Sequence, residues 1–524
     1  MFNTYIDDLS NKYDIVGGPI FLSEEKSSIY NKLKSYHKPA FDNNERIIVV
    51  QDCDDTYDYE DEPGEIIVFL QKILQEIDIS NFFVTVITGN QDIEQELNSV
   101  KKLFSTDSVC IQHVLTKSPY KKNIVKRDTF CVLPWMHLYV NPKGNIHACC
   151  QAEQHMPMGN LLENTVDEII NNEKFCNMRK KMLEGKQCRE CEVCNQAVKN
   201  NQIPSQFNHN QKWQHLKDDL IKNTDASGRI TNFRPTYVDL RLNNQCNIKC
   251  RTCYGGFSSR IAKEESILFN NKENISLDFS KDQRKILLDK VLPYIDNIEA
   301  IYFAGGEPLI IDEHYIILNR LLEKNKTDVE IRYNTNLTNL NYKGILVTDI
   351  WNKFKNISVG ASIDGHGKKL EYTRHGTSWE TIEHNLIKIK NESSHVKVEI
   401  TPVISLLSVQ SIVELQHLWY DKKLVNLEDY KFSFVSGNDH FSLQMLPYEF
   451  KLKVKKIVNL HLDWLESINA DQTIQDTWKN VNEFMFLKDN TYLLDTFKKV
   501  NKARDEYRKE NFNNVYPEFA GLLD

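Results

Sequence analysis

Three of the chain's 12 cysteines fall within eight residues, Cys246-Asn-Ile-Lys-Cys250-Arg-Thr-Cys253, directly after the apolar run Thr236–Leu242. Three thiols on one loop at the end of a strand narrow the choice of fold and chemistry more than any other feature. Thiolates at this spacing wrap one corner of a cubane iron–sulfur cluster and leave one iron open for chemistry. A zinc knuckle needs a fourth Cys or His close by, and none follows before His314. A second crowd precedes the first: Cys131, Cys149, Cys150, Cys176, Cys188, Cys191 and Cys194. After Cys253 no cysteine occurs in 271 residues. Thiols used only for packing would not cluster so. In a cytosolic chain such groups read as ligands or reactive thiols rather than disulfides.

Composition sets the outer limits. Hydrophobic residues are 41% and charged residues 26% of 524, ordinary for a globular protein. The net charge of −8 disfavours a nucleic-acid partner, which calls for a basic excess. No apolar run approaches the ~18 residues of a membrane span. The start, MFNTYIDDLSNKYDIVGG, lacks a basic region followed by an apolar core. The expected location is cytoplasmic, with no membrane partner.

The chain reads as an α/β protein in five parts. Residues 1–120 form a small α/β domain, with strands at Arg46–Val50, Phe82–Thr88 and Ser108–Leu115 and a helix at Glu65–Ile77. Residues 121–206 are the cysteine-rich domain, with one helix near Thr165–Leu183. Residues 207–232 are a polar linker. Residues 233–440 hold six strands alternating with helical segments: Thr236–Leu242, Ala300–Ala304, Val329–Thr335, Ile357–Ile363, Val396–Ile404 and Lys431–Val435. Consecutive βα units suggest a parallel (β/α)6 barrel, complete or partial, with its chemistry at the strand C-terminal ends. Residues 441–524 are a helical C-terminal region.

The cysteine loop after the first of six βα units resembles the radical S-adenosylmethionine (SAM) superfamily. Further motifs match in order over about 200 residues. Ala304-Gly305-Gly306-Glu307-Pro308 looks like the family's GGE motif, where close backbone approach and a carboxylate receive the cofactor's ammonium group. The third strand closes with Asn334-Thr335-Asn336 and the fourth with Ser362-Ile363-Asp364-Gly365. The resemblance implies polar contacts to ribose or methionine from Thr335, Asn336, Ser362 and Asp364. It gives Arg374 the cofactor carboxylate, a bidentate task that suits guanidinium. Val403 is the expected apolar contact to adenine. The family's aromatic residue before the third cysteine is here Thr252, and Tyr254 on the other side of Cys253 is the candidate substitute.

The second crowd is similar to the twitch and SPASM auxiliary-cluster domains of the same superfamily: Cys131, Pro134-Trp135, Gly144-x4-Cys149, Met158-Gly159-Asn160-Leu161 and Cys188-x2-Cys191-x2-Cys194. The resemblance implies one auxiliary cluster on Cys131, Cys149, Cys191 and Cys194, in the shorter twitch form. Cys150 is an alternative to Cys149, and Cys188 to either partner. Four cysteines also suit structural zinc. In most relatives this domain follows the barrel. Here it precedes it, so cooperation requires the auxiliary cluster to fold back over the barrel mouth.

The implied cofactors are S-adenosylmethionine, one radical SAM [4Fe–4S] cluster and one auxiliary [4Fe–4S] cluster. The implied chemistry is reductive cleavage of SAM to methionine and a 5'-deoxyadenosyl radical, which takes a hydrogen atom from substrate. The expected partners are a peptide or peptide-like substrate and a reductant such as flavodoxin or ferredoxin. A sugar or small metabolite is the alternative substrate, and a non-catalytic iron–sulfur or zinc scaffold is the alternative of another class. Asp52-Cys-Asp54-Asp55-Thr56 with Thr88-Gly89-Asn90 loosely resembles the haloacid-dehalogenase phosphatases. Seven acids between Asp52 and Glu62 read more simply as a solvated acidic loop.

Overall fold

Parallel strand pairing in sequence order organises the described part of the chain. The computed structural model describes residues 129–199, 204–272, 281–435 and 437–523, and five strands nearer the N-terminus. Those strands are Asp14–Ile15, Ile20–Phe21, Glu45–Val50, Val84–Thr88 and Val109–His113. They form one sheet in which every pairing is parallel. The expected helix at Glu65–Ile77, the Asp52–Glu62 loop and Cys53 lie outside the described residues. The chain divides into two compact units, Met1–Lys126 and Arg127–Asp524.

The second unit is built on an eight-stranded sheet. Its strands are β1 (His137–Val140), β2 (Asn145–His147), β3 (Gly159–Asn160), β4 (Tyr237–Leu240), β5 (Ala300–Phe303), β6 (Glu330–Thr335), β7 (Asn356–Ala361) and β8 (Lys397–Ile400). The order across the sheet is β8-β7-β6-β5-β4-β1-β2-β3. From β8 to β1 every neighbour is parallel, while β1, β2 and β3 are joined antiparallel. Two short strands, β9 (Val403–Ile404) and β10 (Ser433–Phe434), pair in parallel beyond β8. Helices Lys281–Ile295, Asp312–Glu323, Val347–Trp351, Trp379–Glu392 and Val409–Asp421 lie between successive strands. The result is a mixed α/β fold with a largely parallel sheet.

Alternation along the strands separates the two faces. Val238, Leu240, Ile301, Phe303, Ile331 and Val359 are buried in one core with helix residues such as Leu288, Leu318 and Leu386. The opposite face is more open: along β6, Arg332 and Asn334 are exposed between buried Ile331, Tyr333 and Thr335. A polar face on an otherwise buried parallel sheet leaves room for a ligand.

The cysteine-rich segment is part of this sheet. His137↔Tyr237, Leu138↔Val238, Tyr139↔Asp239 and Val140↔Leu240 pair in parallel, so β1 lies beside the first of the six expected strands. The edge of β4 needed a partner for its backbone groups, and β1 supplies it. The single helix expected at Thr165–Leu183 is two, Val166–Ile170 and Glu173–Leu183. Thr165 and Glu168 make a capping box on the first, and the Asn172 side chain caps the second; this second cap breaks the run. The expected linker carries short helices at Ser205–Lys212 and Lys217–Lys222. Beyond the sheet, helices Tyr448–Ser467, Gln472–Leu487 and Leu494–Arg508 form the C-terminal region. Tyr516 closes it, donating to the Leu407 carbonyl at 2.8 Å and sharing a hydrogen bond with Thr373 at 2.9 Å.

The β1–β4 seam is testable. Leu138 is fully buried on β1. Leu138→Ala should cost about 2–5 kcal/mol, read as a lower urea midpoint of the iron-free chain. An unchanged midpoint would place β1 outside the core.

Candidate functional site

The loop after β4 is held by its own polar side chains. Asn243 Oδ1 accepts from the Gln245 amide at 2.9 Å, and Asn244 Nδ2 donates to the Gly255 carbonyl at 3.0 Å. Ser258 caps helix Ser259–Phe269, which leaves the loop. Lys249–Cys250 pairs antiparallel with Arg374–His375. The Cys253 amide donates to the Cys250 carbonyl at 3.2 Å. Asn438 Nδ2 donates to both the Thr252 and the Cys253 carbonyls at 3.1 Å.

This geometry gathers the three thiols. Burial pushes the Cys246 thiol up to about 12, with the neighbouring Cys250 adding to the shift. Cys253 is pushed up by burial and by Cys250 and Cys246. Burial also raises Cys250, opposed by Arg374. Among the described residues, no three His, Cys, Asp or Glu side chains converge on a single-ion site. A cubane makes a different demand: each thiolate binds its own iron, so the sulfurs surround a corner rather than meet at a point. A buried loop bearing three adjacent thiols fits that demand.

The Gly305-Gly306-Glu307 turn packs on the same loop. The Glu307 amide donates to the Gln245 carbonyl at 2.8 Å. Gly305 has φ +114°, and a Cβ at Gly306 would run into the Gln245 carbonyl. The Glu307 carboxylate is 2% exposed. It accepts from the Thr335 hydroxyl at 2.7 Å, the Asn336 amide at 2.7 Å and the Leu309 amide at 3.1 Å. Burial nevertheless pushes its pKa up to about 7. Pro308 opens the short turn Pro308–Ile310 behind it. Thr335 and Asn336 are themselves buried and face inward: Thr335 serves Glu307, and Asn336 Nδ2 donates to Asn247 Oδ1 at 2.9 Å.

Arg374 is already engaged. Its Nε donates to Asp364 Oδ2 at 2.8 Å, and its Nη1 lies 3.6 Å from the Cys250 sulfur. Asp364 Oδ1 accepts from the Val403 amide at 2.8 Å. Arg374 therefore ties the end of β7 to a candidate cluster ligand, and the Val403 backbone joins the same knot. Ser362 is half-buried at the start of this turn, and its amide donates to the Thr335 carbonyl at 2.8 Å. Tyr254 is 40% exposed and packs edge-on against Phe257 at 5.2 Å.

The structure also sorts the second crowd. Burial raises the Cys149 thiol, followed by the effects of Cys150, Cys131 and Cys191. Burial likewise raises Cys191, followed by Cys131, Cys188 and Cys194. Cys150, Cys131 and Cys191 thus bear on Cys149, and Cys131, Cys188 and Cys194 on Cys191. Cys188 donates to the Met178 carbonyl at 3.7 Å and Cys176 to the Asn171 carbonyl at 3.5 Å. Burial raises Cys150 as well, with Asp239 adding to the shift and Arg241 opposing it. That pair sits on the open face of β4. Arg241 Nε and Nη2 each meet the fully buried Asp239 carboxylate at 3.1 Å. The guanidinium also lies 5.1 Å over the Tyr139 ring. Sequence reasoning missed Asp239, Arg241, Arg251 and Asn438. Only the alternation Tyr237, Asp239, Arg241 in an otherwise apolar strand signalled the first two.

Residues 131–195 match the family model of the iron–sulfur cluster-binding SPASM domain. No curated protein matches the chain. Among solved structures the chain is similar to Streptococcus suis SuiB bound to S-adenosylmethionine, at 16% identity and TM-score 0.30 over 51% of this chain and 52% of that one. It is similar to anSMEcpe with bound AdoMet, at 17% and 0.31 over 45% and 60%. It is also similar to SuiB bound to precursor peptide SuiA, at 17% and 0.32 over 58% and 63%. The aligned parts span less than two thirds of those chains, and likenesses this remote carry no argument. The SPASM match agrees with the resemblance to radical SAM enzymes bearing a SPASM/twitch domain.

Gly306→Ala tests the packed turn. The added methyl meets backbone rather than a yielding side chain, so the turn must move off the cysteine loop. The expected result after anaerobic reconstitution is reduced iron at the 246–253 loop and an unchanged auxiliary cluster. Full iron content would show that the turn tolerates separation.

Proposed function

We propose that this chain is a radical SAM enzyme with an auxiliary iron–sulfur cluster, acting on a peptide or peptide-like substrate. One observation carries the reading. Three adjacent half-buried thiols lie on a loop against which a glycine turn packs, with the amide of the buried Glu307 bonded to the carbonyl of Gln245, the residue before Cys246, at 2.8 Å. A structural metal site has no use for that carboxylate.

Residues 233–440 are read as a partial (β/α)6 barrel. Cys246, Cys250 and Cys253 would hold the cluster, and Cys131, Cys149, Cys191 and Cys194 the auxiliary one. When bound, SAM and the reduced cluster supply the 5'-deoxyadenosyl radical that abstracts hydrogen from substrate. The chain's own residues prepare that event. Glu307 receives the cofactor's ammonium group, and its three donors hold the carboxylate in place before the cofactor arrives. An ammonium neighbour lowers a carboxyl pKa, so binding drives Glu307 to its charged form and releases a proton from the fraction that carries one near neutral pH. Arg374 keeps the Cys250 side of the loop in register with Asp364. Gly305 and Gly306 permit the close backbone approach. The open face of β6, with exposed Arg332 and Asn334, offers hydrogen-bonding groups to a substrate rich in amides. Four thiolates at the auxiliary site close every iron, so that cluster moves electrons rather than binding substrate. A flavodoxin or ferredoxin is the reductant this scheme calls for.

Replacing Cys246, Cys250 and Cys253 together with Ala should abolish 5'-deoxyadenosine formation and leave the auxiliary cluster's spectrum in place. Continued formation under reducing conditions would overturn the assignment. Glu307→Gln should keep both clusters and weaken SAM binding. A charge-assisted contact is worth about 1.5–3 kcal/mol, roughly 10- to 150-fold in Kd by calorimetry. Unchanged affinity would remove Glu307 from the cofactor site.

A further inference from the structure

Resting on the reading of residues 246–253 as the cofactor-cleaving cluster loop, we propose that the segment 494–510 is the positioning element of that loop and acts through Arg251. Arg251 stands between Cys250 and Cys253 and is fully buried. Its Nη1 donates to Asn501 Oδ1 at 2.7 Å. Its Nη2 donates to Asp505 Oδ1 at 2.5 Å and to Glu510 Oε2 at 2.6 Å. Its Nε donates to the Tyr372 carbonyl at 3.2 Å, and the guanidinium lies 3.7 Å over the Tyr372 ring. The main chain is gripped as well. The Arg251 amide donates to the Thr373 carbonyl at 2.8 Å, and its own carbonyl accepts from Arg504 Nη1 at 2.6 Å.

The gripping helix is in turn fixed to the far side of the loop. Arg508 meets Glu264 with two donors, at 2.9 and 2.6 Å, and Arg504 Nε approaches the same carboxylate at 3.2 Å. Glu264 belongs to helix Ser259–Phe269, which starts where the cysteine loop ends. It also faces Lys249 at 3.3 Å. Glu510 accepts from His375 at 2.7 Å, and His375 pairs with Lys249 across the Lys249–Cys250 bridge. The segment therefore holds the loop at its middle, at its exit and on its paired strand.

A tail that needed only to be fastened would do so through apolar packing. Burying a guanidinium between two ligand cysteines is costly unless every partner is in place. Here the fork is matched by two carboxylates and an amide, the arrangement that fixes a direction as well as a distance. Two consequences follow. The loop is ordered before iron arrives, and the charges of Asp505 and Glu510 contribute to the field around the cluster.

The test uses the full chain, first iron-free and then reconstituted. Hydrogen exchange of the Arg251 amide in the iron-free chain should accelerate about tenfold or more in Asp505→Asn and Arg251→Met. It should accelerate less in Arg251→Lys, which keeps the charge and loses the fork. Peptides covering 131–195 should exchange as before. In reconstituted Asp505→Asn the midpoint potential of the loop's cluster should move in the positive direction, because a nearby negative charge has been removed. Unchanged exchange together with an unchanged potential would overturn the proposal. So would loop and auxiliary peptides loosening together, since that marks general loss of stability. Asn501→Ala removes its bonds to Arg251 and to the Tyr372 hydroxyl without removing a charge, and keeps the exchange test available if the Arg251 variants do not fold. The exchange measurement needs no iron, so failure of the positioning claim and failure of the cluster assignment are read separately, the latter by 5'-deoxyadenosine formation in the triple cysteine variant.

Discussion

The pairing of Val140 with Leu240, and of the three residues before each, sets the relation between the two cysteine groups. In a chain with an auxiliary module placed ahead of the parallel strands, a linker would leave that relation loose. Here β1 is a strand of the same sheet, and the register of four residue pairs fixes it. Cys149 and Cys150 follow the returning strand β2, while Cys246 follows β4. Cys150 bears on Cys149 and is itself influenced by Asp239 and Arg241, so the cysteine-rich module borders the strand that leads into the other loop. Seven cysteines competed for four places in the sequence. Cys176 and Cys188 hydrogen-bond to the Asn171 and Met178 carbonyls, and the set proposed for the cluster is Cys131, Cys149, Cys191 and Cys194.

Charge burial is the second theme, and it has a common logic at both groups. Burial raises Cys246, Cys250 and Cys253 in one group and Cys149 and Cys191 in the other, so the iron-free protein keeps these thiols protonated near neutral pH. Ligation must then release protons, and metal affinity grows with pH. The protein offsets the resulting anionic charge with placed cations: Arg374 beside the Cys250 sulfur, and Arg251 one residue further on. Arg251 is matched by Asp505 and Glu510 and Arg374 by Asp364, so part of the cost of burying each is offset without a cluster. The same economy appears at Glu307. Its three donors compensate for part of the desolvation, and a pKa near 7 shows that an unpaired charge there is still penalised. A cation arriving beside it would remove the remainder.

Much of this was legible in the sequence because it is local. The strand expectations over residues 233–440 all correspond to observed strands, since β-branched runs broken by Gly, Asn and Asp are strong short-range signals. The fourth expected strand, for example, is seen at Asn356–Ala361 and ends at the Ser362-Ile363-Asp364 turn. The GGE turn was legible through the resemblance, because two adjacent glycines at a strand end downstream of the cysteine loop match the family's pattern. What was illegible is long-range. Arg251 finds its partners at Asn501, Asp505 and Glu510, about half the chain away, and nothing in a single sequence ties them. The bonds that the Thr335 hydroxyl and the Asn336 amide donate to Glu307 join residues 28 and 29 positions apart, and the sequence did not announce them. The pairing of β1 with the edge of β4 is likewise long-range and was not legible.

The central claim is that residues 246–253 carry an iron–sulfur cluster with an open iron that engages S-adenosylmethionine, apart from a closed cluster on the SPASM-type module. The most direct measurement is electron paramagnetic resonance of the anaerobically reconstituted, reduced chain, with iron counted, before and after adding S-adenosylmethionine. The account predicts about eight irons per chain and two overlapping signals, of which one changes on addition of the cofactor while the other does not. About four irons with bound zinc, or two signals both indifferent to the cofactor, would contradict it.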